Sequence, residues 1–385
     1  MLSSEWETYH RREFTKAISE NFISWSDTVA VQYPVSIFFN LFLKFKKRLL
    51  PFILGKSATK KIESNILLYT PFVLFHHKIW VKSKIAAFID SFVLNLQLTA
   101  FVKKRLPGQK IILWVYFPQI YYVLKYVKFN YLIYDMYDDN ERNYDGKLNN
   151  KLRILNRKLI DLADLTICLA KSTFSKLSTS TEKVVYFPNS INTKLFNKHP
   201  GKNNENILSF NKKVIGYLGT IRNWIDFELL KLILETFPSE KLVLIGYVNR
   251  NALEEFNNLK KFSNFVHINH VSQEMTPLYL SKFDVGIIPF KINEFTASVF
   301  PNKFFEYMAA KIPVVTTSLP ELYEYRNYCG YSETHEKFID YLKYAISGKG
   351  IHFQTDYEKI LEENTWDNKI KILTNEFRNR LKLEI

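Results

Sequence analysis

The sequence predicts an α/β protein made of two doubly wound domains facing a cleft. Three observations carry that expectation. Short apolar segments without clean alternation are each followed by helical periodicity, the pattern of parallel strands covered on both faces. The pattern runs through the first half of the chain, stops at the polar segment Lys198–Asn211, and then restarts. The length, 385 residues, exceeds what one hydrophobic core ordinarily organises and suits two.

In the first domain, 1–200, strands are expected at Thr28–Gln32, Asn65–Leu74, Lys110–Phe117, Tyr131–Tyr137, Leu165–Leu169 and Val184–Phe187. Helical patterns at Trp6–Glu20, Ile79–Lys104 and Lys147–Ala163 separate most of them. In the second domain, 201–365, strands are expected at Val214–Leu218, Lys241–Ile245, Phe265–Ile268, Asp284–Pro289 and Val314–Thr317. They enclose helices near Asp226–Phe237, Pro277–Lys282 and Asn302–Ala310. A last helical pattern, Trp366–Leu381 in the segment 366–385, either extends the second domain or crosses back to the first.

Apolar residues make up 47% of the chain, enough for large cores and too many for wholesale disorder. The two cysteines, Cys168 and Cys329, have no His or Cys at metal-ligand spacing, so neither a disulfide framework nor a metal site is expected. No cofactor is expected either. No stretch reads as a signal peptide, and no run of about 18–20 apolar residues reads as a spanning helix. The expected location is therefore the cytosol, or the cytosolic face of a membrane. The net charge of +15 calls for a polyanionic partner: nucleic acid, anionic lipid or a phosphorylated substrate. No recognisable nucleic-acid motif accompanies the charge, so nucleic acid is not expected.

Chemistry concentrates in two stretches of the second domain. VIGYLGTIRNWID, 214–226, reads as strand, glycine-spaced turn, then helix. Gly216 and Gly219 let backbone N–H groups approach a ligand, the helix beginning near Asp226 offers its positive end to phosphate, and Arg222 is a mobile assistant. Glycine after a strand also serves close packing alone. FPNKFFEYMAAKIPVVTTS, 300–318, places Pro301 at a first helical turn and Lys303, Glu306, Tyr307 and Ala310 on one face. Phe304, Phe305, Met308 and Ala309 form the side that lies on a sheet. Lys303 and Glu306 are either an ordinary exposed pair or a clamp. A carboxylate accepts two hydrogen bonds from ribose hydroxyls, and a lysine one turn earlier neutralises a diphosphate.

These stretches, with DVGIIPFKINEFTASVFPNKFFEYMAAKIPVVTTSLPEL, resemble the C-terminal half of a GT-B glycosyltransferase. More narrowly, they are similar to bacterial group 1 or family 4-like enzymes of surface polysaccharide assembly. Upstream, YLIYDMYDDN, LADLTICLAKSTFSKLS and VVYFPNSINTKLF match that group's first-domain landmarks in order, so the resemblance covers roughly 110–325. It implies two Rossmann-like domains and a nucleotide-diphosphate sugar as donor. Glu306 then stands at the donor's ribose and Lys303 at its diphosphate, and a glycan or lipid-linked glycan is the acceptor. Three positions depart from the family pattern. Ser298 stands where retaining members usually carry a first glutamate, Lys311 where a glycine follows the helix, and Ser190 where PNSIN replaces a PNG turn. Non-glycine residues are costly at positive φ, so these two turns are expected to be built differently.

YDMYDDN, 134–140, puts Asp135, Asp138 and Asp139 at a strand's carboxyl end, facing the expected cleft. An inverting transfer needs a carboxylate at the acceptor hydroxyl, and Asp138 is the first candidate and Asp139 the second. The same pair also suits a helix cap. His10, Arg11 and Arg12 are placed to reach acceptor or phosphate, or to form a solvated helix face; His76 and His77 follow a strand and could line the cleft. Segment 36–61 joins large apolar residues to seven basic ones, among them Lys44, Lys46, Lys47 and Arg48, with no acid. It is expected to touch an anionic membrane surface peripherally. The sequence therefore reads as a sugar-transferring enzyme of the inner membrane face. A nucleotide-sugar 2-epimerase and a non-catalytic membrane or nucleic-acid binding protein are the alternatives.

Overall fold

A computed structural model describes residues 12–22, 28–31, 35–36, 59–63, 66–80, 82–124, 127–137, 139, 141–142, 146–197, 210–348 and 357–382. The first half contributes β1 (Thr28–Val31), β2 (Val35–Ser36), β3 (Thr59–Glu63), β4 (Ile66–Tyr69), β5 (Phe72–Val73), β6 (Ile112–Val115), β7 (Tyr131–Met136), β8 (Leu165–Cys168) and β9 (Val184–Tyr186). The second contributes β10 (Val214–Leu218), β11 (Lys241–Ile245), β12 (Phe265–Ile268), β13 (Val285–Ile288), β14 (Val314–Thr317) and β15 (Gly330–Ser332).

In the second half all six strands are parallel, in the order β12-β11-β10-β13-β14-β15. Counted within the domain this is the doubly wound 3-2-1-4-5-6 order, which reverses between β10 and β13. The strands are short apolar runs because both faces are covered. β13, VGII, and β14, VVTT, are buried throughout, and one contiguous core joins them to helices Phe227–Thr236, Lys303–Ala309 and His335–Ser347. The correction here concerns Gly216, which lies inside β10 rather than in a phosphate turn. A Cβ on it would stand 2.1 Å from the Phe283 ring, so this glycine admits an aromatic side chain to the sheet.

The first half is built around the parallel sheet β6-β7-β8-β9. Alternation along β7 assigns its two faces. Leu132, Tyr134 and Met136 join the core beneath helices Lys84–Arg105 and Asn150–Leu162. Ile133 faces Phe14 of helix Arg12–Asn21 and Trp366, Ile370 and Phe377 of helix Trp366–Leu381. The last helix of the chain thus lies on the first domain's sheet. β1, β4 and β3 form a separate three-stranded sheet, in which β3 is antiparallel to β4. Lys60 and Lys61, read above as part of a membrane segment, lie on this edge strand. The strand expected over Asn65–Leu74 is broken into β4 and β5 around Pro71, which has no N–H to give to a ladder.

Side chains of helix Lys84–Arg105 complete the hydrogen bonding beyond that break. The Gln97 amide accepts from Phe72 N (3.0 Å) and donates to Phe72 O (2.8 Å). Asp90, fully buried, accepts from Leu74 N (2.7 Å), Phe75 N (3.1 Å) and the Trp80 indole (2.7 Å). By length and composition this helix is long and apolar enough to cross a membrane, contrary to the expectation from the sequence. Its Asp90 side, however, is packed into the domain.

The two halves are latched at one helix terminus. Glu321, in the 3₁₀ turn Pro320–Tyr328, accepts from Lys171 N (2.8 Å), Ser172 N (3.1 Å) and Ser172 Oγ (2.9 Å). These are orphan donors of helix Lys171–Ser178, whose own cap residue, Ala170, offers no side chain to satisfy them. Lys171 adds an ion pair to Glu324. Glu321→Ala is expected to cost about 0.5–2 kcal/mol, the usual value of a side chain that satisfies the first N–H groups of a helix. Urea unfolding of wild type and variant checks this, and an unchanged midpoint would remove the latch.

Candidate functional site

The point where the strand order reverses lies at the carboxyl ends of β10 and β13, where open α/β sheets leave a crevice. Helix Lys303–Ala309 delivers Lys303 there. The helix begins one turn-position later than expected from Pro301, with Asn302 as its cap residue. The Lys303 ammonium stands 4.9 Å from the Tyr217 ring centroid at the end of β10 and 4.7 Å from that of Phe290 beyond β13. Both contacts are cation–π distances. Burial holds its amine down at about 8, an effect that Glu306 partly offsets. Burial in turn pushes the Glu306 carboxyl up, with Lys303 opposing it. The pair is therefore coupled and half-buried rather than an exposed surface pair.

Gly219 makes this position possible. Its φ of +138° is poorly accessible to other residues, and a Cβ there would come within 3.1 Å of Lys303 Cε and 3.3 Å of its Nζ. Its N–H is already committed, donating to Ile245 O at 2.9 Å. Gly219 thus acts by making room for the lysine, and its own amide is not the expected phosphate donor.

Arg222 converges on the same place. Its guanidinium lies 5.2 Å from the Trp224 ring centroid, and Trp224 in turn packs on Phe290 (6.2 Å) and Phe295 (6.0 Å). Two cations are thereby held on one aromatic cluster, Tyr217–Phe290–Trp224, which sequence reasoning missed. The helix expected to receive phosphate at Asp226 is already capped by a carboxylate. Asp226 accepts from Leu229 N at 3.0 Å and bonds the His335 ring at 2.8 Å. Its negative charge opposes an anion at that terminus. The Asp before FELL was the available signal for this cap.

Tyr307 leaves the expected crevice face. It is fully buried, accepting from Leu218 N (2.9 Å) and donating to Ile287 O (3.3 Å), and its ring occupies the space above Gly286. Glu306 instead faces a small cavity shared by both halves, with Ser190, Asn192, Asn302 and Trp366 among its walls. Ser190 Oγ is buried there with no hydrogen-bond partner. Ser190 is not in the positive-φ region, so its turn is built without the family's glycine; Lys311 does adopt φ +58°, at a cost of about 1–2 kcal/mol. Ser298 Oγ donates to Phe295 O (2.9 Å).

On the first-domain wall, Asp135 is a correction. It is fully buried on the sheet face under the two terminal helices, accepting from the Trp114 indole at 3.3 Å. Asp139 accepts from Glu141 N (2.8 Å) and pairs with Arg142 Nε (3.3 Å), and burial pushes its carboxyl up. Arg142 reaches across to Glu294 of the second domain at 3.1 Å, so this loop borders the cleft. Arg12 also crosses, to Glu274 at 2.7 Å. Asp138, His10, Arg11, Lys44, Lys46, Lys47 and Arg48 lie outside the described residues. Among the described residues no group of three His, Cys, Asp or Glu side chains could hold a metal ion.

Two Rossmann-like halves around a crevice define the GT-B architecture. The chain superposes on sucrose-phosphate synthase from Thermosynechococcus elongatus with a TM-score of 0.71, at 11% identity, over 96% of this chain and 92% of that one. It also matches the E. coli trehalose-6-phosphate structure bound with UDP-2-fluoro glucose (TM-score 0.64, 13% identity, 92% and 99% covered). Residues 212–345, which carry Arg222, Lys303 and Glu306, match the family model for glycosyl transferases group 1. Over 270 residues the chain is 28% identical to TuaH of Bacillus subtilis strain 168, a protein named for teichuronic acid biosynthesis. That match spans 67% of this chain and 65% of the relative.

Proposed function

We propose that the chain transfers a sugar from a nucleotide-diphosphate donor to a lipid-linked glycan during assembly of a bacterial surface polysaccharide. The observation that carries this reading is the coupled Lys303–Glu306 pair at the point of strand-order reversal, with Arg222 on the same aromatic cluster. The group 1 family match and the resemblance to TuaH support it. In this reading Lys303 and Arg222 stabilise the diphosphate as the anomeric C–O bond breaks, so no metal is required for that charge. Glu306 accepts hydrogen bonds from the donor's ribose. The acceptor hydroxyl attacks the anomeric carbon and gives its proton to Asp138. Closure of the two halves keeps water from the donor. The enzyme works on the cytoplasmic face of the membrane, where nucleotide sugars and lipid-linked acceptors meet.

Titration calorimetry with nucleoside diphosphates and their sugars tests the donor site. Glu306→Ala is expected to weaken nucleotide binding by about 10–100-fold, the value of one or two charge-assisted hydrogen bonds. The fold should persist, because Glu306 faces a cavity rather than the core. Undiminished affinity in this variant would sink the assignment.

A further inference from the structure

Helix Lys84–Arg105 carries a second feature that the donor site does not use. Ile85 (74% exposed), Phe88 (52%), Phe92 (56%) and Leu96 (54%) follow one another at three- and four-residue spacing and form a stripe along its outer face. The opposite face, Ala86, Ala87, Asp90, Ser91 and Leu94, is buried in the first domain. Four large apolar side chains, each more than half exposed along a 22-residue helix, make an apolar patch of the kind that marks a docking surface.

The charges around the stripe say what it fits. Lys82 and Lys84 stand exposed at one end and Lys103, Lys104 and Arg105 at the other, while the helix's one acid, Asp90, is buried. Lys60 and Lys61 on β3 add exposed positive charge in the sheet whose Tyr69 stacks on Phe101 of the same helix at 4.5 Å. An apolar stripe bordered by cations, on a helix whose one acid is buried, is complementary to an anionic phospholipid surface. We infer that this face of helix Lys84–Arg105 lies flat in the interface of an anionic bilayer and holds the first domain there. The helix does not span, because Asp90 and its partners fasten the inner face to the protein. The inference deepens the reading of a membrane-borne acceptor and rests on it for its purpose.

Co-sedimentation of the full chain with phosphatidylcholine vesicles, with and without phosphatidylglycerol, tests it. Wild type is expected to favour the anionic vesicles, less so as salt rises, since exposed charges are screened over about 8 Å at physiological salt. Phe88→Asp with Phe92→Asp is expected to reduce binding by about tenfold or more. Equal sedimentation of wild type and variant overturns the inference. So does a variant that changes oligomeric state while vesicle binding stays the same, which would assign the stripe to a second copy of the chain. An independent measurement places an environment-sensitive dye on Phe92→Cys, labelled selectively because both native cysteines are buried. A blue shift on anionic vesicles supports the docking; an unchanged spectrum overturns it. Nucleotide affinity measured on the same samples reports on the donor site separately.

Discussion

Lys303→Met is expected to lower turnover by about 10²–10³-fold while making the unliganded protein more stable. The two effects have one origin. The ammonium is held in a half-buried position against two aromatic rings, where the fold offers cation–π contact and one coupled carboxylate in place of water. That environment is costly until a diphosphate arrives, and it makes the cation effective once charge develops on the leaving group. Methionine keeps the length and packing of the side chain and removes the charge.

The pH dependence separates these effects. The folded amine is held at about 8, whereas an unfolded lysine titrates near about 10.4. Between those values the unfolded chain binds more protons than the folded one, so wild-type stability rises with pH. The advantage of Lys303→Met should therefore be full at neutral pH and shrink from about pH 8 upward. Nucleotide affinity should move the other way. Wild type loses affinity as pH rises past about 8, by up to about tenfold per unit, and the variant stays flat. Urea unfolding and nucleotide titration across that range check both. A variant no more stable than wild type at neutral pH would mean the cation is adequately solvated in the fold.

How far the sequence carried depends on which interactions had to be read. Five of the second domain's six strands were legible, because runs such as Val214–Leu218, Lys241–Ile245 and Val314–Thr317 are short and apolar, whereas β15, Gly330–Ser332, has no such run. Lys303, Glu306 and Arg222 were also legible, since one helix and one turn display them. What surrounds them was not. Tyr217 and Phe290 come together across β10 and β13, and Tyr307 turns inward because Gly286, far away in sequence, leaves a space for its ring. Asp135 shows the same limit. The strand itself was visible, but which of its faces the terminal helices would cover was a matter of long-range packing. In the first domain's small sheet β1 and β4 were expected and β3 was missed, because Lys60 and Lys61 look like membrane anchors until β4 is there to pair with them.

Asp138→Asn is the variant expected to change turnover most, by about 10²–10⁴-fold, with little change in nucleotide affinity. β7 ends at Met136, and the chain then enters the loop whose Arg142 crosses to Glu294 beside the Lys291–Ser298 segment of the second domain. Asp138 itself lies outside the described residues, and its role here follows from the proposed function, while its described neighbours Asp139 and Arg142 border the cleft. Asp139 is occupied by Glu141 N and Arg142 in holding the loop. Asp139→Asn should accordingly loosen the Arg142 contact and act chiefly on stability. Asp138→Asn should leave stability alone and remove the base. Single-turnover measurements with saturating donor separate the chemical step from binding. Activity of Asp138→Asn within about threefold of wild type would move the role elsewhere, since general-base catalysis is worth far more than that.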